Sequence, residues 1–593
     1  MNCARFYHGF LLMVVVTHGP VVAERAQPRF RTDVKSGVSF QTTDKKLQKL
    51  FDTAVAKANA NLVQFTPSMQ VLVEGAEYPN AWIETQPMGG EMFARHNVQV
   101  ALNNQTVFML GQRKDGRLPG MVIAGDTVLK NGWDKKPPES YVWYPDRHLS
   151  ASYEMFQGYC FPEPAWRVYF WAGKDRAYLQ RLYAALEAHD AYLWRTRDSN
   201  GDGILETWCV WDTGEDGSTR LIRRGAPSRW PFEKPPGAKG VPNAQSPKKG
   251  YWFGGYKDGR MPTPDEVLVP FASMDIMAYS YSGRAALAKV SRELGNGKEA
   301  HWRAQAEEVR RRLADQLWVG ERHACFDIER KGNRLEELVH NNLRCMWYGV
   351  FTQEMADAFV KHHLLNPKEF WTPVPLVSIA VNEPLFRNGR RNDWSGPVQG
   401  LTYQRAMGAL ENYGHYAEVT LLARKLLPIL IRNGYKFTQQ LDPFTGEPSG
   451  KDGYGPMMLA ALGYINRMHG IHLDVEHGRV WWSGLAEGGH DFSRSQRWGD
   501  SIWRLECKGG QLRATVNGKE AFTATAGVRI VTDLGGKPIE VVGIDPEQRQ
   551  VTVKTLAEEW KLTVGPNQAC SLGKAKPVPY RTAPFDAPRP VRR

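Results

Sequence analysis

The chain has 593 residues, room for about four domain-sized units at most. Hydrophobic residues make up 42% and charged residues 23%, the balance of a folded chain and not of a mainly disordered one. The excess of Lys and Arg over Asp and Glu, 76 − 63 = +13, is spread thinly. No dense basic block is interleaved with aromatics, so nucleic acid is not the expected partner, and no apolar run reaches the ~18 residues of a membrane span. There are 20 Trp beside 22 Tyr and 24 Phe, rings that line a core or stack on sugar faces.

Residues 1–23 have the layout of a secretory signal: Arg5 in front, the apolar stretch Gly9–Val16, then Val21-Val22-Ala23 as a small-residue cleavage site. The expected location is secreted or periplasmic. Cys3 precedes the apolar stretch and is no lipid anchor. The other six cysteines, Cys160, Cys209, Cys325, Cys345, Cys507 and Cys570, are irregularly spaced, without a CxxC pair or zinc-type spacing. Bridges and buried free thiols are equal alternatives.

From about Asp44 to His469 apolar residues recur at helical spacing, as Leu47, Leu50, Phe51 and Val55 do in the first segment. The pattern predicts helices over Lys45–Asn61, Glu91–Gln112, Ser152–Trp171, Tyr178–Arg197, Glu266–Leu294 and Glu299–Leu317. It continues with Leu335–Tyr348, Thr352–His362, Val398–Tyr413, His415–Asn433 and Tyr454–Met468, leaving room for one more within Asp212–Pro227. An even set near twelve suggests a mainly α fold, a double ring of helix pairs or (α/α)6 barrel, over residues 24–470. A solenoid is the rival, but the fixed period it needs is missing. Arg224–Arg260, with six Pro and seven Gly, reads as a long rim loop. After Ile471 come short β-rich runs, Val528–Val531, Ile539–Val542, Val551–Val553 and Trp560–Val564, which predict an antiparallel β-sandwich over 471–572. A Pro- and Arg-rich tail occupies 573–593.

Four constellations could carry chemistry. Trp211-Asp212-Thr213-Gly214-Glu215-Asp216-Gly217-Ser218-Thr219-Arg220 places three acids within five residues. Clustered carboxyls in a half-dry cleft can keep one protonated near neutral pH, as a general acid requires, while a polar turn is the competing reading. Phe437–Glu447 contains Gln439, Asp442-Pro443 and Thr445-Gly446-Glu447, turn chemistry whose carboxylates could face a cavity. Asp393-Trp394-Ser395-Gly396-Pro397 precedes a helix, with Pro397 suited to its first turn. Trp82-Ile83-Glu84-Thr85 leads into Gly89–Arg95. Separately, Asp198, Asn200 and Asp202 match the first half of a calcium loop. Its twelfth position is Cys209 in place of Glu, so a structural turn competes with a calcium site. No other cofactor is expected.

Together these segments resemble one group of glycosidases. Arg197-Asp198 through Gly201-Asp202-Gly203 and Glu206, followed by Thr213–Arg220, looks like the motif of glycoside hydrolase family 63 and like the signature of family 37 trehalases. Trp394-Ser395-Gly396-Pro397 is similar to the family 63 Trp-Arg-Gly-Pro motif, with Ser395 replacing Arg. His363–Pro367, Phe370-Trp371 and Pro373–Ile379 resemble the segment before that motif in the mannosylglycerate-hydrolase-like branch. Asp442–Glu447 resembles the late Asn/Asp-Pro-x-Thr-Gly loop. The resemblance runs from Trp82 to His469 in chain order.

It implies an (α/α)6 barrel and inverting hydrolysis of an α-glycosidic bond, with Asp216 as general acid and Glu215 sharing or tuning its proton. The family's base, three residues before the Asn/Asp-Pro pair, falls on Gln439, an amide. Glu447 is then the first candidate base and Asp442 the second. Substrate contacts are expected from Glu84, Glu91, Arg95, Trp211, Arg220, Asp275 and Trp394. The expected partner is an oligosaccharide or polysaccharide. Gln439 favours an inactive carbohydrate-binding protein as the alternative. A polysaccharide lyase is a further one, though the Tyr/His or Asn/His pair it would want is not evident.

Overall fold

The structure, a computed structural model, describes residues 30–138, 140–231, 233–236, 266–485 and 487–572, with the backbone of 578 and 579. The expected signal sequence, the rim-loop residues from 237 onward and the rest of the tail lie outside the described residues.

The described residues form fourteen α-helices: α1 Lys45–Ala60, α2 Gln86–Phe93, α3 Val98–Leu110, α4 Gly125–Lys130, α5 Pro162–Trp171, α6 Arg176–Thr196, α7 Thr219–Ile222, α8 Met274–Leu294, α9 Glu299–Gln316, α10 Asn341–Tyr348, α11 Gln353–Phe359, α12 Gly400–Glu411, α13 Tyr416–Arg432 and α14 Gly455–Met468. Helices α2, α5, α8, α10, α12 and α14 touch one another in that order, and α14 returns to α2. Against this closed cycle lean α1 on α14, α3 on α2 and α5, α6 on α5 and α8, α9 on α8, and α13 on α12 and α14. The sequence distinguishes the two positions. In α8 every side chain from Met274 to Ser291 is buried, whereas α9 buries only the stripe Trp302, Ala306, Val309 and Leu313.

Boundaries follow local chemistry. The predicted helix Glu91–Gln112 is two, because Asn97 lies in extended backbone and its side chain accepts from the Val100 N–H, capping α3. The helix expected from Glu266 starts only at Met274, and Asp212–Pro227 holds only the single turn α7. No helix among the described residues is long and apolar enough to cross a membrane.

The β region is two antiparallel sheets. One has seven strands in the order Ser36–Thr42, Phe492–Trp498, Ser501–Lys508, Gln511–Val516, Lys519–Thr525, Arg549–Lys554 and Glu559–Val564. The other has six: His469–Asp474, Arg479–Gly484, Val528–Asp533, Pro538–Val542, Gln568–Ser571 and Val578–Pro579. Trp482 of the second sheet meets Phe522 of the first edge-on at 5.6 Å. Ser36–Thr42 falls on the helical side of a division at residue 470, yet it pairs from Ser36 opposite Trp498 to Thr42 opposite Phe492. Its partner escapes the alternation test because Arg494 and Gln496 occupy inward positions; the Arg494 guanidinium lies 5.0 Å from the Phe51 ring of α1.

Candidate active site

The loops that enter the inner helices converge on a cavity of about 220 Å³. Its lining is Glu74, Tyr78, Trp82, Glu84, Gln157, Trp211, Asp216, Asn392, Trp394, Gln439 and Tyr454. Three carboxyls therefore share a hollow walled by tryptophan and tyrosine, the mixture of flat faces and hydrogen-bonding groups that suits a sugar.

Asp216 is held by the loop before α12. The Trp394 N–H donates to the Asp216 carbonyl at 3.0 Å, and Asn392 Nδ2 donates to Asp216 Oδ2 at 2.5 Å. Asp216 Oδ1 is buried and has no protein partner. Burial pushes the carboxyl up to about 7, against the opposing effect of the Asn392 hydrogen bond. Ser395, which stands where the resembling motif has Arg, joins the two loops: its Oγ accepts from the Thr219 N–H at 2.9 Å and donates to the Gly217 carbonyl at 3.1 Å.

Glu84 is pushed up to about 8 by burial, opposed by the charges of Arg405 and Arg344 and reinforced by that of Asp216. Glu74 is raised well above the usual carboxylate range, first by burial and then by Glu84, while Thr85 Oγ1 donates to its Oε1 at 2.6 Å. Three such carboxyls sharing one low-dielectric space titrate as a group.

Of the residues expected from sequence, Asp216, Glu84, Trp211, Trp394 and Gln439 meet at the cavity. Glu215, Arg220 and Asp275 lie buried outside its lining. Arg220 bridges Glu215 Oε2 and Asp327 Oδ2, both at 2.8 Å. Against burial, Arg220, His340 and Arg344 hold Glu215 well below the usual range, so it is ionised and shares no proton with Asp216. Asn341 Nδ2 reaches both Glu215 and Asp275, at 3.0 and 2.5 Å. This buried floor network stands outside the cavity lining.

Glu447 is corrected as a base. Its side chain is 65% exposed and pairs with Arg390 at 3.2 Å on the surface. Asp442 fails for another reason: its Oδ1 accepts the N–H groups of Phe444 and Thr445, closing its own turn. Glu91 lines a different cavity of about 150 Å³, together with Arg467 and His472. Arg95 bonds His472 Nδ1 at 2.6 Å, so both belong to the contact with the β region.

The partial calcium loop is closed on itself. Asp198 Oδ1, Asn200 Oδ1 and Asp202 Oδ1 accept the N–H groups of Gly203, Asp202 and Ile204, and Cys209 at the twelfth position is buried. The six cysteines Cys160 to Cys570 are buried thiols that form no disulfide among the described residues.

Sequence reasoning missed Glu74, Tyr78 and Asn392. Glu74 and Tyr78 stand upstream of the Trp82 motif, with no spacing to mark them. Asn392 stands two residues before Trp394, so the helix-entry motif was the one available signal.

A family model described as "Mannosylglycerate hydrolase MGH1-like glycoside hydrolase domain" matches residues 88–455. A curated mannosylglycerate hydrolase from Rubrobacter radiotolerans is 23% identical over 404 residues, 63% of this chain and 88% of the relative. The solved GH63 mannosylglycerate hydrolase of Thermus thermophilus, in complex with glucose, superposes with a TM-score of 0.53 at 18% identity, over 70% of this chain and 99% of that one. A solved structure described as a sialidase covers 84% of this chain and 41% of its own, with a TM-score of 0.57 at 13% identity.

Proposed function

Since the chain belongs to the mannosylglycerate hydrolase MGH1-like glycoside hydrolase family, we propose that it hydrolyses an α-glycosidic bond with inversion, Asp216 being the general acid. The closed cycle of six inner helices supports an (α/α)6 barrel as the framework. The observation that carries the reading is Asp216 itself: a carboxyl raised to about 7, with one oxygen unpartnered, in a cavity walled by Trp82, Trp211 and Trp394.

In the reaction Asp216 gives its proton to the glycosidic oxygen as the bond to the anomeric carbon breaks. The leaving group departs as an alcohol. A water oxygen bonds the anomeric carbon from the opposite face, and the water's proton passes to an ionised carboxylate. With Glu447 on the surface and Gln439 an amide, the carboxyls left to take it are Glu74 and Glu84. Burial raises both, Glu84 to about 8, so the reacting form is the one in which Glu74 or Glu84 has lost its proton while Asp216 keeps its own. The substrate is an α-linked glycoside, and the signal-like layout of residues 1–23 supports a location outside the cytoplasm.

Incubation with a panel of α-linked glycosides, an α-mannoside of glyceric acid among them, tests this by following the anomer released first. Inversion with wild type and loss of turnover in Asp216→Asn are expected. Full turnover in Asp216→Asn would remove the proposed acid. Gln439 favours a second reading, a carbohydrate-binding protein without turnover. Saturable sugar binding with no hydrolysis anywhere in the panel would establish it.

A further inference from the structure

The amide at position 439 is more than a missing carboxylate. Tyr78 Oη donates to Gln439 Oε1 at 2.8 Å, so the Gln439 NH2 group must face the other way, where Nε2 donates to Asn392 Oδ1 at 2.7 Å. The same Asn392 oxygen accepts the Trp394 indole N–H at 3.1 Å. Two donors on one oxygen leave the Asn392 NH2 a single orientation, toward Asp216 Oδ2. Every polarity in the run Tyr78, Gln439, Asn392, Asp216 is thereby fixed. An ionised Glu at 439 would break it, because it has no proton to offer Asn392 Oδ1. The backbone supports the same purpose. Arg391 and Asn392 both take left-handed conformations, with φ of 63° and 48°. Such a pair of non-glycine residues persists only where the surroundings hold it.

We propose that Gln439 is a positioning residue for the acid: its amide, set by Tyr78, turns the Asn392 NH2 group onto Asp216. The proposal deepens the reading in which Asp216 is the acid, and it assigns position 439 a different task from the base that the family motif places there. Other groups also act on Asp216. Glu74 and Glu84 share its cavity, and Arg344 and Arg405 oppose the rise of Glu84. On the neighbouring loop Arg387 pairs with Asp393 and donates to the Gly217 carbonyl. A test must therefore isolate the path through Asn392.

The measurement is a carboxyl titration of the full chain by difference infrared spectroscopy, with Asp216→Asn subtracted to assign the Asp216 signal. Asn392→Ala removes the donor outright and is expected to move the midpoint up by about one unit. Gln439→Met is expected to move it up by roughly half as much in the wild-type background and not at all in the Asn392→Ala background, the non-additivity of residues acting in series. Tyr78→Phe, a milder change, is expected to shift it in the same direction and by less. Equal shifts with and without Asn392, or no shift in either Gln439→Met or Tyr78→Phe, would overturn the proposal. Turnover of Asp216→Asn is scored separately. An active Asp216→Asn sinks the acid assignment and leaves the positioning result standing, whereas additive shifts beside an inactive Asp216→Asn sink only the positioning role.

Discussion

The carboxyl of Glu84 rests on Gly214: a Cβ at residue 214 would fall 1.9 Å from Glu84 Oε2. A Cβ at Gly158 would fall 3.0 Å from the same oxygen, so two glycines form the cradle that sets this carboxyl in the cavity. Gly214 also has φ of +71°, a conformation that side chains rarely adopt. Gly214→Ala should cost about 1–3 kcal/mol of stability through backbone strain and contact, and should expel Glu84 from its seat. Urea midpoints measure the first effect and sugar binding the second. Unchanged binding would show that Glu84 does not face the ligand.

Removal of the Asp216 proton donor should lower kcat by about 10²–10⁴-fold, with KM altered far less. The pH dependence follows from its raised position. The reacting form has Asp216 protonated and the base carboxylate ionised, so the profile should be bell-shaped. The rate falls on the alkaline side as Asp216 loses its proton, from about 7 upward, and on the acid side as the base takes one up. A pH–rate profile with its alkaline limb unmoved in Asp216→Asn would contradict the assignment.

Arg220 is 1% exposed and bridges two buried carboxylates, Glu215 and Asp327. Arg220→Met strands both charges and is expected to destabilise by about 3–5 kcal/mol. Chemical denaturation measures the loss, and a change within a few tenths would show that the floor network is not structural.

At the start of α13, His415 lies 3.0 Å from Asp357 and 3.7 Å from Glu418. Burial lowers its proton affinity, but these two carboxylates outweigh burial and raise it to about 9. The folded value exceeds the unfolded one of about 6.5, so the folded state binds this proton more tightly. The stability gained, on the order of 3 kcal/mol, is fully present below about 6.5 and lost as pH rises through about 9. His415→Gln should flatten the difference between unfolding free energies measured at pH 6 and pH 9.5.

The six cysteines from Cys160 to Cys570 are all buried and form no disulfide among the described residues. A thiol reagent should find none of them in the native chain, and all six should react after denaturation without reductant. Fewer would reveal a disulfide.

Local chemistry was legible in the residue order. The glycine turns around Asp216 and the start of α12 beyond Trp394 depend on neighbours within a few positions, and the motif order carried the family with them. The loop of Asp216 could be singled out because it brings its own acids and glycines, and Asp216 within it through the family motif. Glu74 and Asn392 could not be joined to it, because they are separated along the chain and meet it only through the closure of the helix cycle. The same closure sends Glu91 and Arg95 to the contact with the β region and leaves Glu447 in solvent. Turn and cap preferences are set by adjacent backbone groups, and so the sequence by itself determines them. Which carboxyl loses its water, and which amide it faces, is decided by packing between distant segments, and only the tertiary structure supplies that.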